Sequence, residues 1–319
     1  MTTGATNEIG RLQNEEPQLR VCMATRQAFD DAMALMVWQL AITVLAPVAA
    51  AMVVAFWPAA RPAAAFVGLA ALALDVLFLD RRQKVVLKAA AKLAEEFDHR
   101  VLGLPWNAFV AEAHPDPEDV RAFSVRYQQR AGKGLERVRD WYPLAASRAP
   151  LHLARIICQR ANLRYDAQLR RNYTRIIQAG AVVLIGLLVV TALIQNPSLE
   201  TFLLGFMPAA PVINWACREY YRQRDAADGV ERLVKQATDL WNEALAGACD
   251  ADRCELRCRE FQDAIFAHRS RAPMILPFLY DIRRLQLEDE MNAAATDFLR
   301  LYEAGAPVAK RMAEGDATA

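Results

Sequence analysis

Hydrophobic and polar positions are organised on two length scales. On the long scale, residues 33–57 are apolar apart from Gln39 and Thr43, and residues 62–79 form a second apolar run interrupted only by Asp75. Residues 179–195 are a third, uncharged run, and residues 199–216 a weaker fourth that contains Glu200, Pro208, Pro211 and Asn214. Helices of about 20 such residues cross a hydrocarbon core of about 30 Å. Pro58-Ala-Ala-Arg61-Pro62 and Gln195-Asn-Pro-Ser198 close each pair as turns. The pattern predicts an all-α integral membrane protein, two transmembrane helical hairpins with a helical cytoplasmic body.

On the short scale, the polar segments carry helical periodicity. They comprise a segment 1–32 ending in a juxtamembrane helix, an insert 81–177 between the hairpins (33–80 and 178–217), and a C-terminal region 218–319. Glu15-Glu16-Pro17 marks a helix start, because proline fits the first turn and acids suit the N-terminal dipole. Pro117 with Glu118 and Asp119 marks another, after breaks at Leu104-Pro-Trp-Asn107 and His114-Pro-Asp-Pro117. Val230, Leu233, Val234, Ala237, Leu240, Trp241 and Leu245 recur at helical spacing, an apolar face to pack on the insert, and residues 280–302 form a last helix. Pro47 is placed to kink the first membrane helix, and Trp57 suits the interface.

One stretch, residues 154–173, joins the insert to the third apolar run. On a helix, Arg155, Gln159, Asn162, Asp166, Arg170 and Tyr173 fall on one face, with Arg160, Arg164, Arg171 and Arg175 beside it. Two readings stand: a solvated face whose arginines stop at lipid headgroups, or a contact surface for an anionic ligand or a partner domain. Two polar residues lie within the apolar runs. Asp75 is costly against lipid and is expected to face protein, water or a cation, or else to snorkel beside Arg81, Arg82 and Lys84. Asn214 is the other.

Charge and composition narrow the function. A net charge of +1 speaks against binding DNA or RNA polymers, and 54% hydrophobic with 24% charged residues suits membrane spans joined by water-facing helices. The front of the chain has no basic start followed by an apolar core, so no cleavable signal is expected. Basic residues crowd the insert side and the segment after the fourth run, whereas the short turns hold only Arg61, which puts both termini in the cytoplasm of a multi-pass inner-membrane protein. Six scattered cysteines imply no disulfide framework, and Cys249, Cys254 and Cys258 match no common zinc spacing. Four dispersed histidines and the lack of a nucleophile elbow or HExxH argue against an enzyme and against a metal set; no cofactor is expected. Gly132-Lys-Gly134 lacks the remainder of a phosphate loop and reads as a turn.

The chain resembles the SMODS-associated four-transmembrane effector family. The resemblance is carried by Arg11-Leu-Gln-Asn-Glu-Glu-Pro-Gln-Leu-Arg20, by Leu104-Pro-Trp-Asn107, and most specifically by Ile157-Cys-Gln-Arg-Ala-Asn-Leu-Arg-Tyr-Asp166 with Leu169-Arg-Arg171. Phe261-Gln-Asp-Ala-Ile-Phe-Ala-His-Arg-Ser270 and Glu290-Met-Asn292 continue it. Tyr165 stands where the family often has tryptophan, and Pro277-Phe-Leu departs from a Pro-Asp-Trp run. The resemblance implies a pore-forming effector that permeabilises the bacterial cytoplasmic membrane in anti-phage abortive infection. Its trigger would be a cyclic oligonucleotide, the activating ligand, made by a partner synthase. Its expected partners are the lipid bilayer and further copies of itself, since four helices enclose no obvious lumen. The alternative is a membrane-anchored module that recruits a signalling partner without conducting. The resemblance transfers no binding pocket. From this chain's own residues, the candidate ligand or coupling groups are Arg155, Gln159, Arg160, Asn162, Arg164, Asp166 and Arg170, together with His268, Arg269 and Arg271, because arginines neutralise phosphates and amides read bases.

Overall fold

The computed structural model describes residues 6–130, 135–195, 198 and 210–305. Among them every regular element is helical. Gly132-Lys-Gly134, Asn196 and Pro197 of the turn in the second hairpin, residues 199–209 of the fourth run and the chain beyond residue 305 lie outside the described residues.

The dominant elements are helices that run uninterrupted from polar into apolar sequence. After a short α1 (Ile9–Leu12), α2 (Glu16–Leu40) starts at an extended Glu15 with Pro17 in its first turn. It passes through one π-helical turn, Ala41–Leu45, into α3 (Ala46–Phe56). Pro47 accounts for that turn: its ring meets the carbonyl four residues back, at Thr43, and the widened turn accommodates it without ending the helix. A 3₁₀ turn, Pro58–Ala60, reverses the chain. Helix α4 (Arg61–Leu74) then continues through a second π turn, Asp75–Leu79, into α5 (Asp80–Leu102). Helix α8 (Leu151–Gln195) is a third such rod.

Among the described residues three helices, Glu16–Val54, Arg61–Leu102 and Leu151–Thr191, are long and apolar enough to cross a membrane. Their apolar stretches leave large side chains uncovered, Phe56 being 92% exposed and Ile194 also outward-facing. Continuous apolar exposure of this kind calls for lipid or another chain. Asp75 does not face outward alone, since Gln39 Nε2 donates to its Oδ1 at 2.5 Å and so ties the two helices of the first hairpin toward its body-side end. Asn214 is exposed.

The polar halves of these rods are gathered into a body by the remaining helices. Helices α6 (Ala108–Ala111) and α7 (Pro117–Gln129) follow α5, and α7 lies along α2. Helix α9 (Ala210–Leu245) runs beside α8, with Val230, Val234, Ala237, Leu240 and Trp241 buried as the apolar periodicity requires. Helices α10 (Ala251–Arg269) and α11 (Pro277–Glu303) complete the body against α8. Its main core holds Phe97, Tyr142, Ile157, Trp241 and Phe261; a smaller cluster of Leu169, Tyr173, Ile177, Ala216, Ile275 and Leu287 lies where α8 and α9 approach the apolar region.

All six cysteines are free, and five of them are buried. Burial pushes the Cys22 and Cys258 thiols up to about 12. Because the thiolate is the reactive form, the folded protein is expected to take up one equivalent of maleimide, at the exposed Cys217, rising to six in denaturant. Mass spectrometry of the labelled chain checks this; rapid labelling of Cys158 or Cys254 in the folded state would contradict the packing.

Candidate functional site

The polar stripe of α8 turns inward. Arg155, Gln159, Arg170 and Tyr173 are all buried, so the stripe is not a solvated face. Its lower end is structural. Helix α5 stops at Gly103, in the left-handed conformation (φ 61°), and leaves terminal carbonyls unmatched. Arg155 satisfies them: its Nε donates to Leu102 O at 2.7 Å and its Nη2 to Gly103 O at 2.7 Å, while Nη1 pairs with Glu255 at 2.6 Å. Gln159 Nε2 donates to Cys258 O at 2.8 Å, joining α8 to α10.

Higher on α8 the stripe lines a cavity of about 270 Å³. Asn162, Asp166 and Arg170 come from α8, and His268 and Arg269 from the end of α10. These five predicted residues, scattered over two parts of the sequence, therefore converge on one space. Their charges are mutually compensated. Asp166 Oδ2 accepts from Arg170 Nε at 2.8 Å and lies 2.7 Å from His268 Nε2. Burial works to raise the Asp166 carboxyl, but the Arg170 charge and the His268 hydrogen bond outweigh it and hold the group well below the usual carboxylate range. Arg170 Nη1 also donates to Gln223 Oε1 at 2.7 Å and to Pro273 O at 2.9 Å, which ties α8 to α9 and to the segment before α11. Arg269 donates to Asp98 Oδ2 at 2.5 Å; Asp98 also accepts from Tyr142 Oη at 2.7 Å and Gln262 Nε2 at 2.9 Å.

The opposite wall is made by α2 and α5, with Arg26, Phe29, Phe97 and Asp98, and by Trp141. The Arg26 guanidinium lies 4.7 Å over the Trp141 ring. The Trp141 indole N–H has no acceptor among the described residues. Asn162, Tyr165, Arg26 and Trp141 also border an adjoining cleft of about 270 Å³ that adds Arg137 and Arg139. The cleft also carries Arg284 and the acids Glu136, Asp140 and Glu288, so the combined space is a compensated, partly aromatic pocket beside a shelf of mixed charge.

A family model described as the SMODS-associating 4TM effector domain matches residues 7–298, nearly the whole chain. The chain belongs to the SMODS-associating 4TM effector family. A relative from Bacillus cereus (strain VD146), named as a probable CBASS effector molecule, is 23% identical over 207 residues, 64% of this chain and 67% of its own. No solved structure gives a significant match.

In this 4TM effector the remaining predicted residues lie elsewhere. Arg160 donates to Thr238 Oγ1 at 2.9 Å and lies 4.3 Å over the Phe298 ring; burial, with the neighbouring Arg164 charge, lowers it to about 10. Arg160 and Arg164 line a separate groove of about 690 Å³ between α8, α9 and α11. Arg271 lines a third cleft, with Lys84, Lys88 and Arg222. The cavity residues not anticipated from sequence as ligand groups are Arg26, Asp98, Trp141 and Tyr165. The mixed periodic face of α2, with Arg26, Phe29 and Asp30, was the available signal, but which helix that face meets is a tertiary matter.

One feature of the 4TM effector outweighs the rest. All three long helices, α2–α3, α4–α5 and α8, wall the cavity with their polar halves and continue as rods into the apolar region.

Proposed function

We propose that this 4TM effector permeabilises the bacterial cytoplasmic membrane in CBASS-type anti-phage abortive infection, when a cyclic oligonucleotide made by a partner synthase binds its cytoplasmic body. The observation that supports this is the sharing of one cavity by all three long helices. A ligand that changes the spacing of Arg26, Asp98 and Asn162 acts on the same rods that cross the bilayer, and no separate transmission element is required. The compensated pocket suits the uncharged part of such a ligand, a base read by Asn162 and the free Trp141 N–H; the phosphates lie along Arg26, Arg137 and Arg139. A volume of about 270 Å³ holds one base with its sugar rather than a whole ring, so the ligand spans pocket and cleft. The basic flanks put both termini and the body in the cytoplasm. Four spans per copy are too few for an aqueous lumen, so the conducting form contains several copies.

The test is membrane potential, read with a voltage-sensitive dye in bacteria that co-express the effector with an active or an inactive synthase. Depolarisation is expected with the active synthase only, and Asn162→Ala abolishes it while the protein still sediments with membranes. An unchanged potential despite correct insertion would overturn the pore reading in favour of a recruiting module.

A further inference from the structure

Away from the cavity, the C-terminal turns of α5 and the loop after it bring together Glu96, His99 and His114. Glu96 and His99 are three residues apart on a helix and so share a face; His114 returns from the loop after α6 to meet them. Their nearest ligand atoms all lie within 4.8 Å of one another. We propose that Glu96, His99 and His114 form a divalent transition-metal site, suited to zinc, that fastens the 104–116 loop to the end of α5.

Each side chain is prepared for that role. His99 Nδ1 lies 3.1 Å from Leu104 O, and a carbonyl can only accept, so the proton sits on Nδ1 and Nε2 carries the bare lone pair in the neutral ring. That nitrogen faces Glu96 Oε2 at 3.9 Å, too far for a hydrogen bond, with two electron-rich atoms confronting each other. A ring N–H held by a backbone carbonyl is the usual support of a metal-bound histidine. Glu96 is only 3% exposed, and the Arg100 guanidinium holds its Oε1, leaving Oε2 for the shared space.

His114 Nδ1 lies 2.6 Å from the same Oε2. Its ring is fixed by stacking on Trp106, with centroids 4.0 Å apart, and the Trp106 indole N–H is anchored on Glu112 O at 2.8 Å. A cation takes the place of the proton shared by His114 and Glu96: His114 shifts to the tautomer protonated at Nε2 and binds through Nδ1. Zinc bonds of about 2.1 Å put tetrahedral ligand atoms about 3.4 Å apart; the His99–Glu96 edge of 3.9 Å closes toward that spacing, and the His114–Glu96 edge of 2.6 Å opens to it as the metal replaces the proton between them. Two imidazoles and one carboxylate select zinc, cobalt or nickel over magnesium and calcium. His114 is 53% exposed, which leaves the fourth position to water.

The test uses the full chain in detergent, stripped with a chelator and titrated with Co²⁺ and then Zn²⁺. One Co²⁺ per chain is expected, with a visible spectrum of nitrogen and oxygen coordination and no thiolate charge-transfer band. His114→Gln keeps an amide N–H for Glu96 but loses the stack on Trp106, so the metal-free protein still folds with a slightly lower melting temperature. It weakens Co²⁺ binding at least roughly tenfold and removes the zinc-induced rise in melting temperature seen in the wild type. The proposal fails if no Co²⁺ binds at micromolar concentration, if His114→Gln binds as well as wild type, or if a thiolate band shows that cysteines hold the ion, Cys249 and Cys254 being the two whose sulfurs lie within 2.7 Å of each other.

Discussion

Asp98→Ala is expected to unfold the polar body at growth temperature. Asp98 is buried at the junction of α5, α8 and α10 and accepts three hydrogen bonds, from Tyr142 Oη, Gln262 Nε2 and Arg269 Nη1. Removing the carboxylate leaves Arg269 without its ion-pair partner and strands the buried Tyr142 hydroxyl and one amide N–H of Gln262, whose other N–H keeps Glu95 Oε2 at 2.9 Å. Breaking one side of a buried pair costs about 3–5 kcal/mol, and each orphaned donor adds about 1–3 kcal/mol. A domain is stable by only about 5–15 kcal/mol, so the loss consumes much of the margin. Asp98→Asn keeps the shape and an acceptor but loses the charge, and is expected to fall between alanine and wild type. Thermal unfolding of the detergent-solubilised protein, followed by circular dichroism, decides it; a melting temperature within a few degrees of wild type for Asp98→Ala would show that the network does not carry the body.

Arg170→Gln is expected to abolish depolarisation without preventing membrane insertion. Arg170 pairs with Asp166 one turn earlier on α8 and is the point where α8 is held to Gln223 of α9 and to the carbonyl of Pro273. Just beyond it, Leu169, Tyr173, Ile177 and Ala216 pack α8 on α9 near the apolar region. In the proposed mechanism this contact passes a change at the cavity into the second hairpin, and glutamine cannot hold all three acceptors. Arg170→Lys is expected to fail as well, because an ammonium lacks the planar fork that reaches two directions at once. The pair also has an acid signature. The Asp166 carboxyl is held below its ordinary value of 3.8, so the pair's stabilisation is complete above that value and is lost as pH falls through the lower folded value. Arg170→Gln should therefore show a weaker loss of stability toward strong acid than wild type. Normal depolarisation in both variants would remove Arg170 from the coupling path.

Much of the architecture was legible because it rests on local properties. Glu15-Glu16-Pro17 and Pro117-Glu118-Asp119 do begin α2 and α7, and the periodic face from Val230 to Trp241 is buried as its spacing required. The site was only half legible. Asn162, Asp166, Arg170, His268 and Arg269 share a cavity, whereas Arg155 and Gln159, drawn from the same helical stripe, are spent on capping α5 and binding α10. One stripe serves two purposes because different elements lie against its two ends. Glu96 and His99 carry a readable helical spacing, but His114 joins them only because the chain turns back after α6.

The sequence by itself determined the apolar runs, the helices that contain them and the family, since the length and polarity of a segment decide whether lipid can solvate it. Only the tertiary structure decided which way the polar stripe faces, which arginines are already paired, and that the three long helices share one cavity. Burial and charge compensation depend on what packs opposite a residue, and for Asp98 and Arg269 that partner lies 171 positions away.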